Sequence, residues 1–247
     1  MQPDTDIISA IERYLWRTGY SRLSPRAALI DMDGTLIDSM KWHTRAWHRM
    51  MTELGVECSP DEFYLYEGMT GAATIDLLIR RAFGRPATEK EKTELYELKT
   101  GYFNEYPRVA TVAGARRMVD ILMAHGITRV LVTGSGQPSN IARLDNDFPG
   151  GFPHELRITS HSVSHGKPHP EPYLKGMELA GAKPWECIAI ENAPLGVESA
   201  SRAGAFTVAV TTGPIPEEAM WEKGADMVFP SMEAFADLLP ELLDKPT

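Results

Sequence analysis

The run Ala28-Leu29-Ile30-Asp31-Met32-Asp33-Gly34-Thr35-Leu36 sets two carboxylates at alternate positions on the end of an apolar strand. Alternate strand residues share a face, so Asp31 and Asp33 point into one small volume. Gly34 lets the chain turn away, and Thr35 offers a hydroxyl and an amide to whatever binds there. Two like charges this close favour a cation. Hard oxygen ligands select Mg2+, and the natural cargo of such an ion is a phosphoryl group. Taken alone, the same residues also make an ordinary polar turn, so later segments must decide.

Three such segments follow. Val130-Leu131-Val132-Thr133-Gly134-Ser135-Gly136 ends an apolar run in a hydroxyl and glycine-rich amides able to hold phosphate oxygens. His165-Gly166-Lys167-Pro168-His169-Pro170 places a lysine ahead of a proline-rich turn, which His165 and His169 are expected to shape rather than to serve as metal ligands. Cys187-Ile188-Ala189-Ile190-Glu191-Asn192-Ala193-Pro194-Leu195-Gly196 ends another run in a carboxylate and a carboxamide. In this order the four segments resemble the motifs of the haloacid dehalogenase (HAD) superfamily, in its β-phosphoglucomutase-like branch. The resemblance implies that Asp31 is a nucleophile and Asp33 a general acid/base. It also implies that Thr133, Gly134 and Ser135 hold phosphate, that Lys167 neutralises charge, and that Asp31, Asp33, Glu191 and Asn192 surround Mg2+.

The chain departs from the family pattern at Asn192, where a carboxylate is usual. An amide oxygen can ligate but brings no charge. A replacement is available in Tyr66-Glu67-Gly68-Met69-Thr70-Gly71, where related phosphomutases carry basic residues that hold a remote phosphate. Glu67 is expected to reach down and ligate Mg2+; a solvated loop carboxylate is the plainer alternative. His43, one turn beyond Ser39, suits a proton shuttle or a packed hinge. Lys99 is a candidate contact for an anionic substrate, against the simpler expectation of a surface lysine. The set Asp31, Asp33, Glu67 and Asn192 resembles HAD inorganic pyrophosphatases, which implies pyrophosphate as substrate. A sugar-phosphate phosphatase, a phosphomutase and a catalytically silent phosphate-binding module are the rivals. A dehalogenase, which needs neither metal nor the second carboxylate, is disfavoured by Asp33.

Short apolar runs at Ala27 to Asp31, Thr128 to Thr133, Leu156 to Ser160, Cys187 to Glu191 and Thr207 to Val210 have the character of buried parallel strands. Helical patterns over Gly114 to His125, Pro170 to Ala180 and Gly196 to Ala203 lie around them. The alternation predicts an α/β doubly wound parallel sheet with active residues at the carboxyl ends of its strands. Residues 42–110 interrupt it with helical stretches at Trp42 to Leu54, Ala72 to Phe83 and Thr88 to Tyr106, read as a small all-helical cap inserted after the first strand. The core is then 1–41 and 111–247, with an amphipathic helix over 6–17.

A chain of 247 residues with 43% hydrophobic content can bury a sizeable core. Its formal charge of −9 and lack of a basic stripe argue against nucleic acid or an anionic membrane surface as partner. No apolar run reaches bilayer length, and Asp4 and Asp6 are unlike an export signal. Cys58 and Cys187 have neither disulfide nor zinc spacing, so a reducing cytoplasm is the default. A monomer acting on a small phosphorylated substrate is expected.

Overall fold

The computed structural model describes residues 6–107 and 109–245; Asp4, cited above against an export signal, lies outside them. Six parallel strands, β1 (Ala27–Ile30), β2 (Thr128–Val132), β3 (Arg157–Ile158), β4 (Cys187–Glu191), β5 (Phe206–Val210) and β6 (Met227–Phe229), form one sheet in the order β3-β2-β1-β4-β5-β6. Around them lie α1 (Ile7–Thr18), α2 (Met40–Glu53), α3 (Glu62–Leu65), α4 (Gly71–Phe83), α5 (Glu89–Asn104) and α6 (Ala115–Ala124). The remaining helices are α7 (Pro138–Asp147), α8 (Glu171–Ala180), α9 (Pro194–Arg202), α10 (Glu217–Glu222) and α11 (Met232–Asp244). This is the doubly wound arrangement expected. β6, α7, α10, α11 and the one-turn α3 were not anticipated, and β3 is shorter than its apolar run because 3-10 turns occupy both flanks.

The strand pattern explains the layering. Ala28 and Ile30 of β1, with Ile188 and Ile190 of β4, pack into one core that includes Met118, Leu122 and Phe235. Ala27 and Leu29, with Cys187 and Ala189, face a second core against Tyr173 and Met177 of α8. Alternation thus buries every residue of β1 and β4 on one side or the other, and full burial of each Leu or Ile is worth about 1.5–3 kcal/mol. Helix α1 covers the first core through Ile7, Ile11 and Tyr14. Arg17 locks it at the β5–β6 side by an ion pair of 2.8 Å to Asp226.

β1 is the topological switch: β2 lies on one side and β4 on the other, with Ile30 in register with Leu131 and Ile190. Ligands bind outside the carboxyl ends of strands at such a point. The cap helices α2–α5 pack on their own core of Met50, Met51, Phe63, Ile75 and Leu78 above that end. Two adjacent linkers join cap to sheet, tied by the Asp38 amide to the Ala110 carbonyl at 3.0 Å and the Val112 amide to the Leu36 carbonyl at 2.9 Å.

Candidate active site

The site is built from strand ends. β1 stops at Ile30 because the next residues leave the ladder: the amides of Leu36 and Ile37 both turn back to the Met32 carbonyl, at 2.9 and 3.0 Å. Gly34 makes that loop possible at φ +80°, where an L side chain is strained. Asp31 is thereby fixed at the switch point, its amide bonded to the Ile190 carbonyl at 3.0 Å.

The Lys167 ammonium lies 2.6 Å from Asp31 Oδ1 and 2.6 Å from Glu191 Oε1, and donates to the Val132 carbonyl at 3.0 Å. Burial opposes its charge, but the carboxylates of Asp31 and Glu191 outweigh burial and hold it protonated. For Asp31, burial and the neighbouring Glu191 raise the carboxyl above its ordinary range, with Lys167 pulling the other way. Asp31 Oδ2 is a buried oxygen without a hydrogen-bond partner.

Glu191, expected beside the metal, is held within the protein by both oxygens. Its Oε1 faces Lys167 and accepts from the Tyr173 hydroxyl, while Oε2 accepts from the Asn192 amide at 3.2 Å. Both oxygens are engaged, and a Cβ at Gly196 would fall 2.1 Å from the carboxylate. Tyr173 lies within the helical pattern read over Pro170 to Ala180, and nothing in that pattern signalled this contact.

Asp33 accepts from the Ser39 hydroxyl at 2.6 Å and faces His43 Nε2 at 3.1 Å. His43 Nδ1 in turn lies 2.6 Å from the Lys99 ammonium. Burial disfavours ionised Asp33, but His43, Ser39 and Lys99 together bring its carboxyl below the ordinary value. Lys99 is not the surface lysine that α5 suggested: it is only 2% exposed, lying over the rings of Trp47 and Phe103. Burial pulls its ammonium down to about 7. Lys99 thus touches His43, and a chain of three side chains runs from the cap to Asp33.

Glu67 is 8% exposed rather than solvated. The loop after α3 carries it to the sheet, where the Asn192 amide nitrogen donates to Oε1 at 2.7 Å. Asn192 Oδ1 accepts from Thr35 at 3.2 Å, leaving one lone pair. Burial raises the Glu67 carboxyl well above normal, opposed by the Asn192 bond and reinforced by Asp31, Glu191 and Asp33. Thr133, at the end of β2, accepts the Ser135 amide at 3.0 Å, and Gly134 packs so closely on the Gly68 carbonyl that a Cβ would stand 2.6 Å from it. Asp31, Asp33, Glu67, His43, Lys99 and the Thr133 to Ser135 turn all border one cavity of about 70 Å³.

Asp31, Asp33 and Glu67 border this cavity with Glu191 beside Asp31, and among the described residues only Lys167 pairs with these four carboxylates directly as an ammonium. That excess, with the bare Asp31 Oδ2, suits a small divalent cation. The donor set of carboxylates and one carboxamide oxygen suits a hard cation such as Mg2+ rather than a softer metal.

Residues 25–204 match the family model of the haloacid dehalogenase-like hydrolases. The chain belongs to that family. It is 30% identical over 207 residues to hexitol phosphatase A of Escherichia coli, covering 83% of this chain and 90% of that one. It is also 30% identical over 201 residues to validoxylamine A 7'-phosphate phosphatase of Streptomyces hygroscopicus, covering 76% and 86%. A solved structure from Bacteroides vulgatus, provisionally described as a β-phosphoglucomutase, aligns with TM-score 0.92 at 41% identity over 97% of this chain and 98% of that one. None of these relatives is named for pyrophosphate, so that finer resemblance finds no support among them. No helix among the described residues is long and apolar enough to cross a membrane.

Proposed function

We propose that this HAD hydrolase is a Mg2+-dependent phosphohydrolase of compact phosphoanhydrides, with inorganic pyrophosphate as substrate, working through phosphorylated Asp31. The observation that carries the reading is Glu67 crossing from the cap to Asn192, which narrows the site to a cavity of about 70 Å³. Pockets for drug-sized ligands start at roughly 300 Å³. Where a mutase would anchor a remote phosphate, this chain has Gly71, and the Tyr96 ring lies 2.2 Å from where a Cβ would stand. Among the described residues bordering the cavity there is no arginine.

In this reading an Asp31 carboxylate oxygen attacks one phosphorus in line, giving an aspartyl phosphate and releasing orthophosphate. Asp33 gives a proton to the leaving oxygen and then removes one from the water that hydrolyses the acyl phosphate. His43 and Lys99 hold Asp33 in position from the cap side, and Lys167 neutralises charge on Asp31 and the transferring group. Thr133 and the amides of Gly134 and Ser135 hold phosphoryl oxygens. Mg2+, which Asp31, Asp33, Asn192 and Glu67 would hold, supplies further neutralisation of those oxygens.

The competing reading, a phosphatase of sugar or polyol phosphates, draws on the names of the two phosphatase relatives. Phosphate release from pyrophosphate is to be compared with a panel of hexose, hexitol and phosphoglycolate monoesters at equal concentration. A higher kcat/KM for pyrophosphate than for every monoester supports the proposal, and a monoester turned over more efficiently overturns it. Absence of turnover on all of them, with Mg2+ saturating, returns the chain to a phosphate-binding module.

A further inference from the structure

The turn that delivers Lys167 to Asp31 carries a second set of donors. His165 and His169 stand two residues to either side of the lysine, and Glu171 opens α8 two residues later. His165 Nδ1 is 3.0 Å from Glu171 Oε2, and the two imidazole centroids are 4.7 Å apart. One donor atom from each of the three falls within 4.8 Å of the other two, the one such His/Cys/Asp/Glu group found among the described residues. Both histidines are exposed whereas Lys167 is buried, and nothing in the proposed reaction uses these three side chains.

We propose that His165, His169 and Glu171 form a site for a borderline transition-metal ion, Zn2+ or Ni2+, separate from the carboxylate pocket. Two imidazoles and one carboxylate are a donor set for those ions, whereas Mg2+ prefers oxygen. Around zinc, ligands about 2.1 Å from the ion lie roughly 3.4 Å apart in a tetrahedron. Rotation of two exposed imidazoles closes the present spread to that spacing. The carboxylate is already fixed: Oε1 accepts from the Ser164 amide at 2.9 Å and meets Lys175 at 3.0 Å, and Oε2 accepts from the His165 amide at 2.9 Å. His169 Nδ1 accepts from the Glu171 amide at 3.2 Å, a bond that coordination would sacrifice. Three protein donors and two lost hydrogen bonds, this one and the His165 Nδ1 to Glu171 Oε2 contact, describe a site of moderate affinity whose coordination is completed by water.

The position gives such an ion leverage. It would tie both ends of the Lys167 turn, which packs on the cap: a Cβ on Gly166 would lie 2.8 Å from Thr70 Cγ2.

The test is calorimetric titration of untagged protein with Zn2+ in saturating Mg2+, which keeps the carboxylate pocket occupied. One zinc per chain is expected, with affinity falling at least tenfold in His165→Ala and in His169→Asn. The asparagine retains an acceptor for the Glu171 amide, so its loss of zinc is not a loss of the helix start. Asp31→Asn is expected to bind zinc as the unmodified chain does. No zinc bound, unchanged affinity in either histidine variant, or loss of binding in Asp31→Asn overturns the proposal.

Discussion

Lys99→Met isolates what the cap contributes to the acid/base carboxylate. The Lys99 ammonium sits 2.6 Å from His43 Nδ1, and His43 Nε2 sits 3.1 Å from Asp33 Oδ1. Methionine keeps the apolar stem between Trp47 and Phe103 and removes the nitrogen. Nδ1 then loses its donor in a buried place, and stranding an acceptor there costs about 1–3 kcal/mol. The imidazole escapes that cost by moving its proton to Nδ1 or rotating, and either change takes the Nε2 proton away from Asp33. With the cost expressed at the reacting carboxylate, kcat falls about 5- to 150-fold, since 1.4 kcal/mol is a factor of ten. Stability carries an independent signature. Burial lowers Lys99 from 10.5 to about 7, so between those values the unfolded chain binds more protons than the folded one. Wild-type stability therefore rises with pH across that window relative to the variant, by at most about 1.4 kcal/mol per pH unit, and the difference is flat below it. Steady-state phosphate release and urea unfolding across pH measure both. A kcat within twofold of wild type, or a stability difference independent of pH, refutes the argument.

Asp31→Asn is expected to abolish turnover and the acid-stable phosphoenzyme seen on quenching. Because burial and Glu191 raise the Asp31 carboxyl, its favourable contribution is lost as pH rises through the folded value, so the metal-free variant melts above the metal-free wild type at mildly alkaline pH. Glu67→Gln retains an acceptor for Asn192 but not the charge; the Mg2+ concentration giving half-maximal turnover is expected to rise about tenfold, about 1.4 kcal/mol, and an unchanged requirement removes Glu67 from the metal set. Gly34→Ala puts a Cβ 1.9 Å from the Asn192 amide nitrogen at φ +80°, and turnover is expected to fall at least about 100-fold, roughly 2.7 kcal/mol. Gly19→Ala, at φ +73° with nothing within 4 Å, provides the control: about 1 kcal/mol of stability lost in denaturant unfolding, no activity lost.

Sequence reasoning reached furthest where chemistry and strand geometry coincide. Asp31, Asp33, Thr133, Glu191 and Asn192 are legible because each closes or follows an apolar run, and parallel strands bring their carboxyl ends together whatever the details of the helices. Lys99 was harder, since α5 has a largely polar sequence whose apolar periodicity is weak, and only the meeting of α5 with α2 shows which of its lysines is buried. The partners of Glu191 were hidden for a related reason: Lys167 and Tyr173 arrive from a turn and a helix whose approach no spacing encodes. β6, with three residues, and α10, with six, are too short for periodicity to register.

Exchanging charge between Asn192 and Glu67 does more than conserve it. A carboxylate on β4 would belong to the pocket whatever the position of the cap, whereas Glu67, carried on the cap, would belong to it only with the cap down. Its carboxyl is raised by burial and by three like-charged neighbours, so closing the cap over an uncompensated pocket is unfavourable. A divalent cation bound among those oxygens removes the penalty. Linkage is reciprocal: whatever factor the closed cap adds to cation affinity, the cation adds to closure. A substrate small enough to fit beneath the closed cap would meet the full set of carboxylates together with the cation. A larger phosphate ester would hold Glu67 away and forfeit both, so in the proposed reading the cap carboxylate would gate substrate size as well as ligate the ion.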